Sequence, residues 1–221
     1  MLYIQLVLVS ILIFTLNSCS ENTGTTSPQI DTNIVQIKNQ KWMKRNLNVS
    51  TFRNGDIIME AKTNEEWLTA LQQQKPAWCY YNNDPRYGTK YGKLYNKYAL
   101  SDPRGLAPVG YRIATTNDWQ ILISNLGNDT ISGYKIGGKK LKNNSIDWMR
   151  NGGGDNSVGF DAYPSGGRSN YDGEFFYEGL SARWFAKDSE FFDGFGLFEG
   201  SDEIVVFDLL DEGAAVRCVK E

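Results

Sequence analysis

The chain has 221 residues, 23 Lys+Arg against 26 Asp+Glu, and no histidine. That length holds one sizeable domain or two very small ones, and the slight negative charge, with no basic block, argues against nucleic acid as a partner. The lack of histidine excludes Ser-His-Asp and Cys-His catalysis and histidine-ligated zinc, while 22 glycines and 13% aromatics suit a loop-rich fold with an aromatic core.

Residues 1–18 carry an apolar run from Leu2 to Leu16. It has the length of a secretion-signal core and is short for a membrane span. Leu16-Asn17-Ser18-Cys19 resembles a bacterial lipobox. The resemblance implies a lipid on Cys19, a flexible polar tether over 19–33, and a membrane partner through that anchor. A plain cleaved signal peptide is the competing reading. With Cys19 lipidated, Cys79 and Cys218 form an even pair in an oxidising compartment. A disulfide between them is the expectation, with two buried free thiols as the alternative.

From Ile34 onward, Val35 and Ile37 alternate with polar residues, Lys38-Asn39 can turn, and Trp42-Met43 follow, which predicts a strand pair. Asn54-Gly55 marks a second turn. Thr63 and Glu66 have capping-box spacing at the start of a helix that puts Trp67, Ala70 and Leu71 on one face and stops at Pro76. Trp78 to Tyr81 reads as a strand. The stretch from Tyr87 to Leu100 reads as a loop leading to a strand or short helical turn. Gly110 to Ala114 holds a short strand. Thr115 and Asp118 then open the clearest helix, with Trp119, Leu122, Ile123 and Leu126 on one face and Gly127 ending it. The Gly-, Asn- and Ser-rich stretch 128–179 reads as loops pinned by Leu141, Trp148, Phe160 and Tyr163. Residues 203–209 and 214–220 read as a C-terminal hairpin that turns Val216 and Cys218 inward. Together these predict an α+β domain over 34–221 with two helices, short antiparallel strands and long irregular loops. A loop region that long is expected to be functional, or held by a bridge or a metal.

QKWMKRNLNVSTFRNGD, EAKTNEEW, PAWCYYNNDP, KYGKLYNKYALSDPRGLAP, GYRIATTNDWQILISNLG, NSVGFDAYPSGGR and the final VRCVK stand in order along the chain. In these motifs it resembles the Fibrobacter succinogenes major paralogous domain family. The resemblance implies a C-type-lectin-like fold that joins the terminal strands and leaves a long loop region free to bind. It also implies an outer-membrane or cell-surface location, often as a lipoprotein of Bacteroidetes. It brings no established activity. The segment from Ala182 to Glu190 departs from the family's Trp- and Ser-rich pattern.

The expected function is non-catalytic recognition of a glycan or an envelope protein. The alternatives are a structural component of the envelope and, third, a hydrolase or oxidoreductase. The ligand surface is expected within 161–211, from Tyr171, Trp184, Phe185, Asp188, Asp193 and Phe195. Aromatic faces pack on pyranose C–H groups while carboxylates take hydroxyls. The tyrosine-rich run with Trp78, Tyr80, Tyr95 and Tyr98 offers a second stacking platform, with core packing as the competing reading. No catalytic residue and no cofactor is assigned beyond calcium. For calcium, Asp193, Glu199 and Asp202, with Glu203 and Asp208, are hard oxygen donors, and solvated carboxylates are the alternative. Asp155-Asn156 reads as a turn.

Overall fold

The structure, a computed structural model, describes residues 33–127, 130–131, 134–188, 193–209 and 212–221. The expected signal sequence, Cys19 and all but the last residue of the tether lie outside these residues.

Strands β1 (Ile34–Ile37) and β2 (Gln40–Met43) form the expected antiparallel pair, with Ile37 opposite Gln40 across the Lys38-Asn39 turn. After β3 (Met59–Glu60) comes helix α1 (Asn64–Gln72). The Thr63 hydroxyl accepts from the Glu66 amide, and the Glu66 carboxylate accepts from the Thr63 amide, so two orphan donors are satisfied at the helix start. Next are β4 (Ala77–Cys79), α2 (Gly88–Tyr91), β5 (Leu94–Tyr95), α3 (Lys97–Ser101) and β6 (Tyr111–Ile113). The helical spacing of Tyr91, Leu94 and Tyr98 is broken at Gly92, which sits at φ 72°. A Cβ there would lie 2.8 Å from the Leu47 carbonyl oxygen.

The main helix, α4 (Thr116–Leu126), has its own capping box: the Thr115 hydroxyl accepts from the Asp118 amide, and Asp118 accepts from the Thr115 amide. The Arg112 guanidinium binds both oxygens of Asp118. The chain continues through β7 (Thr130–Ile131), β8 (Tyr134–Lys135), α5 (Gly138–Leu141), β9 (Ser165–Arg168) and β10 (Phe175–Glu178). It ends in β11 (Ser181–Phe185), β12 (Asp193–Phe198), β13 (Ile204–Asp208), β14 (Ala215–Val216) and β15 (Cys218–Lys220).

The terminal strands do meet. One sheet runs β1-β2-β15-β6, with Val219 opposite Trp42 on one side and Arg112 on the other. A second runs β13-β12-β11-β14. The expected hairpin between 203–209 and 214–220 is not formed. Instead β13 pairs antiparallel with β12, and β14 lies parallel to β11. Glycines in β12 explain the choice, because Cβ atoms at Gly194 and Gly196 would come within 2.7 and 2.6 Å of the Phe207 ring. The fold is mixed α/β with mostly short antiparallel strands in small sheets. The stretch expected to be irregular carries several of those strands, and α2, α3 and α5 add to the two helices expected.

Trp42, Trp119, Phe160, Trp184 and Phe195 pack ring against ring under α4, with Trp119 stacked on Phe195 at 5.2 Å. The expected disulfide is not present. Cys79 and Cys218 are free and buried. Cys79 packs with Ala61, Trp67, Ala77 and Leu94 in one core cluster, and Cys218 with Ile113, Phe185 and Val216 in another. Burial pushes the two thiols up to about 11 and about 12, so neither is a nucleophile near neutral pH.

Candidate functional site

Half of the six expected ligand residues, all three of them aromatic, belong to the core. Trp184, Phe185 and Phe195 are buried, and the Trp184 indole donates to Asn46 Oδ1 at 2.8 Å. They alternate on strands β11 and β12, which are covered on both faces, so the acidic flanks of this segment do not bring its aromatics to the surface. Asp188 accepts from the Thr116 amide, and Asp193 from the Thr116 hydroxyl at 3.0 Å, so both serve the start of α4. Tyr171 is 89% exposed at a loop tip.

The calcium set is dispersed. Glu199 pairs with Arg150, Asp202 accepts from the Lys139 amide, and Asp208 faces Asp193 across two strands. Among the described residues no three acidic or sulfur side chains gather as a metal site would require. Of the tyrosine-rich run, Trp78 and Tyr95 are core, with the Tyr95 hydroxyl donating to the Val49 carbonyl, while Tyr80 and Tyr98 are half-buried. Asp155-Asn156 is a turn, with Asp155 accepting from the Ser157 amide and Asn156 at φ 49°.

A different surface is built where three loop segments meet, 144–154, 177–180 and 198–200. The Met149 amide donates to the Gly179 carbonyl at 2.9 Å, and the Glu199 amide to the Leu180 carbonyl at 2.7 Å. Glycine permits this approach, since a Cβ on Gly152 would lie 2.8 Å from Glu199 Cα and one on Gly179 2.9 Å from Met149 Cγ. Two adjoining clefts result. One, of about 410 Å³, is lined by Asn144, Ser145, Ile146, Trp148 and Met149, with Arg150 at its edge. The other, of about 300 Å³, is lined by Arg150, Tyr177, Leu180, Phe198 and Glu199.

The rim is apolar and exposed: Ile146 is 99% accessible, Met149 51% and Tyr177 52%. The polar centre is the Arg150–Glu199 ion pair at 3.2 Å. Arg150 and Tyr177 both have left-handed backbone, φ 51° and φ 61°, which a bulky side chain rarely adopts. Such strain costs on the order of 1–3 kcal/mol and persists where the surroundings enforce it, often at ligand sites.

The walls are fixed from behind. Lys142 Nζ donates to the Phe198 and Ser201 carbonyls at 2.5 and 2.6 Å, which pins the turn carrying Glu199. Burial lowers the pKa of this ammonium to about 8. Asp147 accepts from Lys90 Nζ at 2.6 Å and from the Ser145 hydroxyl at 2.8 Å, anchoring the other end. Trp148 floors the first cleft, its indole donating to the Ala162 carbonyl. Arg150, Met149, Ile146 and Tyr177 were missed in the sequence. The available signal was the glycines at 152–154 and 179, which mark close backbone approach.

No curated protein and no solved structure matches the chain. The profile of the Fibrobacter succinogenes major domain matches residues 35–220. That span takes in every strand from the second residue of β1 to the end of β15, both capped helices and the cleft walls, so the chain belongs to the Fibrobacter succinogenes major domain family.

Proposed function

We propose that this chain is a non-catalytic recognition protein of the bacterial envelope, held to the membrane by a lipid on Cys19, and that it binds a glycan across the paired clefts at Arg150. The observation that carries this reading is Tyr177, a half-exposed aromatic kept in left-handed backbone at the rim of an open cleft. An aromatic face stacks on the C–H face of a pyranose, while Ser145, Asn144 and the Arg150–Glu199 pair supply donors and acceptors for hydroxyls. We also read the domain as C-type-lectin-like, a proposal supported by the joined terminal strands and the loop-borne clefts.

A glycan array probed with the full chain in detergent tests the function. Binding to a defined set of glycans is expected, weakened at least several-fold by Tyr177→Ala with the melting temperature unchanged. A blank array, or a Tyr177→Ala variant that binds as the native chain does, would sink the reading. The second reading is a protein partner in envelope assembly, favoured by the 99% exposure of Ile146. It would show as a copurifying envelope protein lost on Ile146→Asp. Incorporation of labelled palmitate, abolished by Cys19→Ala, tests the anchor.

A further inference from the structure

We propose that the glycan bound at these clefts is acidic, and that Arg150 receives its carboxylate. This rests on the glycan reading above and goes further by naming the class of sugar. Arg150 gives one bond to Glu199, from Nη1 to Oε1. Its Nε and Nη2 have no partner among the described residues. Those two N–H groups lie parallel along one edge of the guanidinium, with the spacing of two carboxylate oxygens.

Four of the eight other arginines have committed that edge. Arg86 and Arg104 turn Nε and Nη2 onto Asp84 and Asp102. Arg53 spends them on the Ala107 and Tyr111 carbonyls. In Arg168 they go to the Gly173 carbonyl and Asn64. Arg45 lies over the Tyr163 ring, outside both clefts.

Arg150 is also placed to receive a ligand. Its side chain is 80% exposed and borders both clefts. The Glu199 bond engages Nη1 and so leaves the Nε–Nη2 edge toward solvent. A uronate or sialic-acid residue can set its ring on Tyr177 and its carboxylate on the free edge of Arg150. Glu199 remains on the opposite side, accepting from Nη1.

The test uses oligosaccharides containing galacturonate, glucuronate, mannuronate or sialic acid, each offered to the full chain as free acid and as methyl ester. At least one free acid is expected to bind about tenfold more tightly than its ester. Arg150→Gln should bind acid and ester alike, at the level the ester shows with the native chain. Glu199→Gln keeps the Arg150 edge and should keep the preference. Tyr177→Ala should weaken acid and ester together. If the native chain binds acid and ester equally, or binds neutral glycans alone, the acidic class is wrong while glycan recognition stands. If no glycan of either kind binds, both readings fail. A preference for acid that survives Arg150→Gln assigns the carboxylate elsewhere and overturns the proposal.

Discussion

Lys142 offers a sharp test of how the cleft wall is held. The residue is 1% exposed, and its ammonium has carbonyl oxygens as hydrogen-bond partners. Burial lowers its pKa from 10.5 to about 8. Between those values the unfolded chain still carries the proton that the folded chain has released. Stability therefore rises with pH in that window: the penalty for burying the charge is present at pH 7 and is relieved as pH passes 8. Between pH 7 and pH 9 the folded-state term changes tenfold and the unfolded-state term hardly at all, a gain of roughly 1 kcal/mol.

The native chain alone does not isolate this gain. Cys79 and Cys218, raised by burial above their ordinary 9.0, act in the opposite sense, because the unfolded chain loses those protons first. Urea denaturation of the native chain and of Lys142→Met at pH 7, 8 and 9 separates the two effects. The stability difference between them should shift in favour of the native chain by roughly 1 kcal/mol from pH 7 to pH 9. Parallel pH curves would refute a buried, depressed amine at this position. Lys142→Met takes the ammonium donor from the Ser201 carbonyl and from the Phe198 carbonyl, which keeps the Ser201 amide at 3.3 Å, at about 1–3 kcal/mol. Should that prevent folding, an NMR titration of the Lys142 side chain in the native protein reads the same pKa directly.

Three more outcomes are expected. In urea without reductant, both Cys79 and Cys218 should react with a thiol reagent, and in the folded chain neither should; a bridged mass for the pair would restore the disulfide. Trp119→Ala removes a ring packed 4.9 to 5.8 Å from four other aromatics. It should cost about 3–5 kcal/mol in chemical denaturation; a loss below about 1 kcal/mol would mean that the aromatic cluster contributes little. Tyr177→Gly relieves left-handed strain at φ 61° and should leave stability equal or raised by up to about 1 kcal/mol, while glycan binding falls. Lower stability would show that the ring serves the fold.

Features encoded locally were legible in the sequence. Thr63 with Glu66, and Thr115 with Asp118, mark helix starts within four residues, and the stripe of Trp119, Leu122, Ile123 and Leu126 is buried as its spacing requires. Pairing over long separations was not. Alternation in residues 203–209 says that a strand forms; that its partner is β12 depends on how Phe207 sits over Gly194 and Gly196. The candidate site was illegible for a related reason. Trp184 and Phe195 stand in an acidic segment and look exposed, yet Asp188 and Asp193 lie outside β11 or at the end of β12 while the aromatics go inward. Tyr177 looks like an ordinary strand residue, because left-handed backbone at a tyrosine carries no composition signal.

Among the described residues Cys79 and Cys218 are unbridged and no three acidic or sulfur side chains gather, so other contacts hold the loops. Buried cations do much of that work. Arg168 donates to the Ala61 and Gly173 carbonyls and to Asn64, and its guanidinium lies over the Trp67 and Phe175 rings. Arg217 joins the Met43 and Phe160 carbonyls to Asn46, over the Phe160 ring. Lys142 joins the Phe198 and Ser201 carbonyls over Trp148. Irregular backbone leaves buried carbonyls without a ladder partner, and each such oxygen needs a donor. One guanidinium or ammonium satisfies two or three at once and ties distant segments together. Aromatic walls suit these cations because ring faces attract positive charge without adding a carboxylate to desolvate. On this account the aromatics expected to bind ligand are held inside by the cations beside them, as Trp184 is near Arg217. Ligand contact is left to residues such as Tyr177 and Arg150, on turns that the same cations keep in shape.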